Sequence, residues 1–119
     1  MIRYHSAKNE ITLAEILPGT DMVNNPQDML DLMADAGYNG SRGIIIHSDS
    51  LHPDFFDLKS KLAGEILQKF SNYRMKLAII GDFSGYASKS LHDFIRESNQ
   101  RGIICFVDSL QKAIEMLER

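Results

Sequence analysis

Three residues that could bind a metal ion stand close together in the segment HSDSLHPD. They are His47, Asp49 and His52. Imidazole and carboxylate groups are common ligands of transition metals. The spacing of these residues matches no established ligand motif, and histidines beside aspartates are frequent on polar loops. The sequence therefore predicts no metal ion and no cofactor, and the three residues remain candidates for binding a ligand.

A second polar segment, GDFSGYASKS, carries Asp82, Ser84 and Tyr86. Ser84 could act as a nucleophile with a histidine base, but the Gly-x-Ser-x-Gly turn typical of such serines is absent. The segment also lacks the lysine of a Walker A phosphate loop and has an acid where phosphate would lie. We expect Asp82 to shape the loop or the entry to a helix, and we assign no catalytic residue.

The elements that must position these segments alternate along the chain. Two β-rich segments, Ile2–Ser6 and Ile11–Leu17, are predicted to form a hairpin, and helices then alternate with three apolar strands. The strands have the sequences GIIIH, MKLAIIG and GIICFV. This ββαβαβαβα order predicts an α/β fold in a single domain, residues 1–119. Its sheet is mixed and mainly parallel, with the helices packed on it and the first strand antiparallel at or near an edge.

In a parallel sheet, binding sites form at the carboxyl ends of the strands. The two polar segments follow two of the apolar strands, and Asp108 and Ser109 follow the third. We therefore expect these loops to meet at one rim of the sheet if their strands are neighbours.

The segment HPDFFDLKSKLAGEILQKFSNYR is predicted to form one helix that begins at Pro53. Its apolar residues recur with helical period through Leu62 and Ile66 to Phe70. Proline suits the first turn of a helix, and an acid such as Asp57 complements the positive end of the helix dipole.

Two adjacent phenylalanines, Phe55 and Phe56, stand at the start of this predicted helix. Their side chains would point about 100° apart, so one buried face cannot take both fully. We expect one of them to be partly exposed, or to be covered by Phe83 or Tyr86 from the next loop. With Asp57 and Ser60 beside it, this corner is the predicted surface for a partner or for self-association. The alternative is that the loop only seals the core.

Composition and charge exclude several classes of protein. The chain has 119 residues, a net charge of −3 and no run of Lys or Arg that would form a nucleic-acid surface. No apolar run approaches the roughly 20 residues of a membrane span. The single cysteine, Cys105, lies in an apolar strand, and a buried free thiol is typical of a reducing compartment. We expect a cytoplasmic protein.

The segment PDFFDLKSKLAGEILQKFSNYRMKLAIIGDFSGYASKSLHDFIRESN, residues 53–99, resembles the bacterial family catalogued as domain of unknown function 4180. The specific stretches are FFDLKS, GEILQKFSNYR, LAIIGDFS and DFIRESN, and the outer segments fit the general layout of the family. The resemblance implies no activity, because none is established for that family.

The element order is also similar to the fold of the anti-sigma-factor-antagonist (STAS) family. There, the helix after the third strand begins near an Asp-Ser pair, and phosphorylation of the serine switches partners. In this sequence, FFDLKSKLAG places Asp57 at the aspartate position, but Leu58 follows it. Ser60 lies two residues further on, and a literal Asp-Ser pair occurs earlier, at Asp49 and Ser50. The resemblance therefore concerns the fold and assigns no phosphoacceptor.

Two functions follow as expectations, and a purely structural homo-oligomer remains as a third hypothesis. The first is a non-catalytic regulatory or partner-binding module with a STAS-like fold, which acts on a protein partner or on a second copy. The second is an enzyme or small-ligand-binding protein that uses the loops at the carboxyl ends of the strands. A pocket holding both His47 and Asp82 would favour the second, and an apolar patch around Phe55, Phe56 and Phe83 would favour the first.

Overall fold

The computed structural model describes all 119 residues, and its five strands form one sheet in the order β1-β2-β3-β4-β5. The strands are β1 (Ile2–Ser6), β2 (Thr12–Ile16), β3 (Ser41–His47), β4 (Lys76–Ile80) and β5 (Ile104–Val107). The helices are α1 (Pro26–Tyr38), α2 (Leu62–Tyr73), α3 (Lys89–Arg101) and α4 (Leu110–Leu117). β1 is an antiparallel edge strand and the other pairings are parallel. The predicted α/β fold, its element order and its mainly parallel sheet are confirmed.

The helices cover the two faces of the sheet unequally. Right-handed crossovers that always step to the next strand place their helices on the same face, so α1, α2 and α3 share one side. That side holds the main core, a cluster of 21 buried residues. The other face is covered by α4, whose Ala113 and Leu117 close a second cluster of 5 buried residues with Leu13, Ile45 and Ala78.

The strand order never reverses along the sheet. In open parallel sheets, ligands bind in the crevice that opens where the strand order changes direction. Here each parallel strand lies beside its predecessor in the sequence, from β2 to β5. The carboxyl-end rim, formed by the loops at residues 48–61, 81–88 and 108–109, therefore has no crevice built in by topology.

The entry to α2 differs from the prediction. The helix begins at Leu62, and two short 3₁₀ turns, Pro53–Phe56 and Leu58–Ser60, precede it. Asp57 between the turns is extended, and Lys61 has a φ of 68°, in the left-handed region, so a continuous helix from Pro53 is wrong. The predicted apolar stripe from Leu62 to Phe70 is buried.

The two edges of the sheet also differ. At β5, the Asn99 side chain of α3 takes the place of another strand. The backbone N–H of Phe106 donates to Asn99 Oδ1 at 2.7 Å, and Asn99 Nδ2 donates to the Phe106 carbonyl at 3.3 Å. At β1, the outer side of the strand pairs with no other strand.

Candidate functional site

The polar residues of the α2 entry form hydrogen bonds within and between the two short turns that precede α2. His52 Nδ1 accepts from the backbone N–H of Asp54 at 3.0 Å, and Asp57 accepts from that of Lys59 at 3.2 Å. The Ser60 hydroxyl donates to the Asp54 carbonyl. These side chains satisfy the free N–H and C=O groups at the turn ends. Their positions are explained by the path of the backbone.

Asp82 and Ser84 form a similar local turn after β4. The Asp82 carboxylate accepts from the Ser84 hydroxyl at 2.6 Å and from the Ser84 backbone N–H at 3.0 Å. These two hydrogen bonds hold the pKa of the exposed Asp82 carboxyl below its usual value. The Ser84 hydroxyl thus donates its hydrogen bond to a neighbouring carboxylate, and no hydrogen bond joins Ser84 to a histidine. Asp49 is exposed in the turn that follows β3.

Five aromatic rings meet at this rim, and we call them the aromatic corner: Phe55, Phe56, Phe83, Tyr86 and Phe106. Phe55 meets Phe56 edge to face, with ring centres 5.1 Å apart. Tyr86 stacks on Phe56 at 5.2 Å, and Phe83 lies 5.9 Å from Phe56 and 5.3 Å from Phe106. The corner therefore joins the α2 entry, the loop after β4 and the end of β5.

Both phenylalanines of the pair are buried. Phe55 is fully enclosed and Phe56 is 7% exposed. Of the two arrangements expected from the sequence, the exposed phenylalanine is wrong and the covering loop is found, because Phe83 and Tyr86 both lie against Phe56. Phe83 is half-buried, and Tyr86, at 38% exposed, is the most exposed aromatic residue of the corner.

His47 takes part in a different cluster, on the α4 face of the sheet. Its Nε2 lies 2.8 Å from Glu15 Oε2, and His5 Nε2 lies 2.8 Å from Glu15 Oε1. Glu15 is only 5% exposed. Burial alone would raise the pKa of Glu15, but the hydrogen bonds and charges of His47 and His5 outweigh that effect, and the net pKa is lowered. The carboxylate of β2 thus links the edge strand β1 to β3.

His5 and Glu15 were not predicted from the sequence, although a signal was present. Glu15 is the one acid within the apolar run LAEIL. Alternate residues of a strand share a face, and Glu15 pairs with Arg3 and Ile45, each two residues before a histidine. A buried acid needs hydrogen-bond donors. The strand register places the imidazoles of His5 and His47 on the same face as Glu15, where they can donate to it.

The rim does not bring His47 and Asp82 into one pocket. The groove beside Asp82 is lined by Gly81, Asp82, Phe83, Phe106, Val107, Asp108 and Lys112. Nowhere in the chain are three or more His, Cys, Asp or Glu residues arranged to hold a metal ion. The cluster His47, Asp49 and His52 is therefore not assembled around a common centre.

The fold and the rim define a class of α/β protein with a consecutive, mainly parallel sheet and an aromatic corner at its carboxyl end. The chain belongs to the family described as domain of unknown function (DUF4180), whose model matches residues 8–117. The family resemblance seen in residues 53–99 is thereby confirmed over most of the chain. No curated protein and no solved structure matches this chain. None of its helices has the length and apolar character needed to cross a membrane.

Proposed function

We propose that the protein is a non-catalytic regulatory module that binds a protein partner at the carboxyl-end rim, with Tyr86 as the central contact. The observation that carries this proposal is that the exposed side chain of Tyr86 is held against a buried ring. Its ring is 38% exposed, and its inner face stacks on the buried Phe56. Exposed aromatic residues held rigidly in this way are typical anchors of protein interfaces.

The loop that carries Tyr86 is held in one conformation. The His92 imidazole of α3 hydrogen-bonds the Tyr86 carbonyl at 2.6 Å, and Asp82 ties the start of the loop to Ser84. A loop that is already ordered loses less conformational entropy on binding. Asp57 and Ser60, at the entry to α2, supply exposed polar groups near the phenylalanine pair in sequence, as a polar rim of an interface requires.

The alternative, an enzyme or a small-ligand site at the same loops, is less well supported. Asp57, Asp82 and Ser84 are hydrogen-bonded within local turns, and His47 is hydrogen-bonded to Glu15 rather than to a residue of these loops. The element order supports the STAS-like part of the proposal. We keep the cytoplasm as the proposed compartment because Cys105 is a buried free thiol, and burial raises the pKa of that thiol.

Photo-crosslinking from position 86 tests the proposal. We expect a photoreactive phenylalanine analogue in place of Tyr86 to give a discrete crosslinked product in the native cells. In a separate pull-down with the tagged protein, the wild type should capture the same partner and Tyr86→Ala should not. Loss of the stacking should cost about 1 kcal/mol in addition to the area that the ring buries, so a thermal melt of the variant is measured to show that it is folded.

Tyr38, which is 92% exposed and ends α1 at the opposite end of the sheet, provides the control. Tyr38→Ala should leave capture unchanged. The proposal fails if Tyr86→Ala is folded and captures the same partner as well as the wild type does. A crosslink between two copies would identify the partner as the protein itself.

A further inference from the structure

A second concave surface lies between α1 and α2, away from the aromatic corner. We call it the α1–α2 groove, and its apolar lining comes from Leu30, Met33, Ala34, Tyr73 and Met75. Its volume is about 320 Å³, within the range of roughly 300–1,000 Å³ typical of binding pockets. Tyr73 is 64% exposed, so its ring is accessible to a partner. The groove is large enough for anchoring side chains but not for a whole helix.

The α1 side of this groove is acidic and carries no compensating base. α1 contains Asp28, Asp31 and Asp35 and has no Lys, Arg or His. Asp31 lines the groove, where the neutral Gln27 amide donates to it at 2.9 Å. Asp35 lies one turn further along the same side of the helix. None of the three aspartates takes part in an ion pair within the chain.

We propose that the α1–α2 groove binds a basic amphipathic helix of a partner protein. Apolar side chains of that helix would enter the groove, and its Lys or Arg residues would face Asp31 and Asp35. The side chain of Met75, which is partly exposed, is flexible and can adapt to an apolar partner. Amphipathic helices bind apolar grooves in this manner, with charged residues at the border fixing the choice of partner. This surface shares no lining residue with the aromatic corner, so the inference does not depend on the proposed function.

The charge argues against a second copy as the occupant. A two-fold dimer places the same patch of both subunits against itself. Across the α1–α2 groove, that arrangement would place the acidic α1 of both copies in one interface, and α1 has no Lys, Arg or His to pair with Asp31 and Asp35. The chain as a whole also has a net charge of −3, so two copies repel each other weakly at long range.

Selection from a peptide library tests the inference directly, because the library itself supplies the candidate helices. The peptides are about 16 residues long, roughly four helical turns. Leucines are placed at helical spacing, and all the remaining positions are randomised among Lys, Glu, Gln and Ser. The wild-type protein serves as bait, and Ala34→Lys, a substitution at an exposed groove position, serves as the counter-selection bait. We expect Lys to be enriched at the randomised positions and Glu to be depleted.

The best selected peptide is then measured by fluorescence anisotropy. Tyr73→Ala should weaken its binding about tenfold or more, as expected for an aromatic contact. The double variant Asp31→Asn, Asp35→Asn should weaken it several-fold and reduce its dependence on salt. Tyr86→Ala, at the aromatic corner, is the matched control and should bind like the wild type.

Three results would overturn the inference. They are enrichment of Glu or of uncharged peptides, failure to select any peptide over the Ala34→Lys bait, and equal binding by the wild type and Tyr73→Ala. Self-association of the wild type that Ala34→Lys abolishes would assign the groove to a second copy instead. The two proposals can fail separately. Tyr86→Ala can keep its partner while peptide selection at the groove succeeds, or it can lose its partner while the selection fails.

Discussion

Glu15 is the one charged residue among the buried side chains of the protein. A buried carboxylate is costly unless it is hydrogen-bonded. Each oxygen of Glu15 has its own imidazole partner, one from β1 and one from β3. The cluster therefore contributes to stability only while Glu15 is ionised, and this makes the edge of the sheet sensitive to acid.

Substituting Glu15 with Gln should change how stability depends on pH. The folded pKa of Glu15 is lowered from its ordinary value of 4.5, so its ionised form stabilises the fold above that pH. This contribution is lost as the pH falls through the folded pKa. The difference in unfolding free energy between wild type and Glu15→Gln should therefore shrink from pH 7 to about pH 3, as measured by urea denaturation at each pH.

Glu97→Gln supplies the control, because Glu97 is exposed on α3 and makes no side-chain hydrogen bond. Its difference from the wild type should stay nearly constant over the same range. A constant difference for Glu15→Gln would show that the ionised cluster does not stabilise the fold.

The side chains at the rim show what sequence patterns could and could not predict at this scale. Position at the carboxyl end of a strand was enough to place Phe83 and Tyr86 beside Phe56. It was not enough to predict the surroundings of His47. Successive side chains of a strand point to opposite faces of the sheet, and this alternation sets the face to which His47 points. His47 shares its face with Glu15, and the residues of the α2 entry belong to the other side.

At the scale of elements, the period of apolar residues identified every helix and strand in the correct order. Boundaries depended on local hydrogen bonds that compete with helix formation. The segment from Pro53 to Ser60 has the apolar residues of a helix, but His52 and Asp57 accept hydrogen bonds that close separate turns. Short polar side chains favour such turns over a continuous helix.

Truncation of the buried face of α2 should be strongly destabilising. Ile66 is fully enclosed in the main core. Ile66→Ala should lower the free energy of unfolding by about 2–5 kcal/mol, because it removes buried apolar atoms and leaves a cavity. Thermal and chemical denaturation would measure this loss.

The neighbouring exposed residue of the same helix gives the comparison. Glu65→Ala should change stability by no more than about 0.5 kcal/mol. If the two variants were equally stable, Ile66 would not face the core and the orientation of α2 would be wrong.

At the scale of the whole molecule, the two faces of the sheet are unequally protected. Three helices close the main core, whereas α4, the shortest helix, closes the smaller cluster with two buried residues, Ala113 and Leu117. Its C-terminal end is also held by Glu118, which accepts a hydrogen bond from the Lys8 backbone N–H at 3.2 Å. Regions with few buried contacts open at lower free energy than the rest of a protein.

Native-state hydrogen exchange should therefore resolve α4 from the main body. We expect its amides, such as those of Ala113 and Leu117, to exchange by a local opening. The amides of β3 and β4 should exchange only on global unfolding. Equal exchange free energies for α4 and β4 would show that both faces unfold together.

The consecutive order of the strands also bears on how the protein is made. A ribosome releases the chain from its N-terminus, and each parallel strand of this sheet pairs with the strand synthesised just before it. A nascent chain can thus add one strand and one helix at a time, without waiting for a distant segment. Until synthesis ends, the newest strand exposes unpaired backbone groups. Asn99 precedes β5 in the sequence, so the side chain that occupies the last edge, at Phe106, is already present when that edge forms.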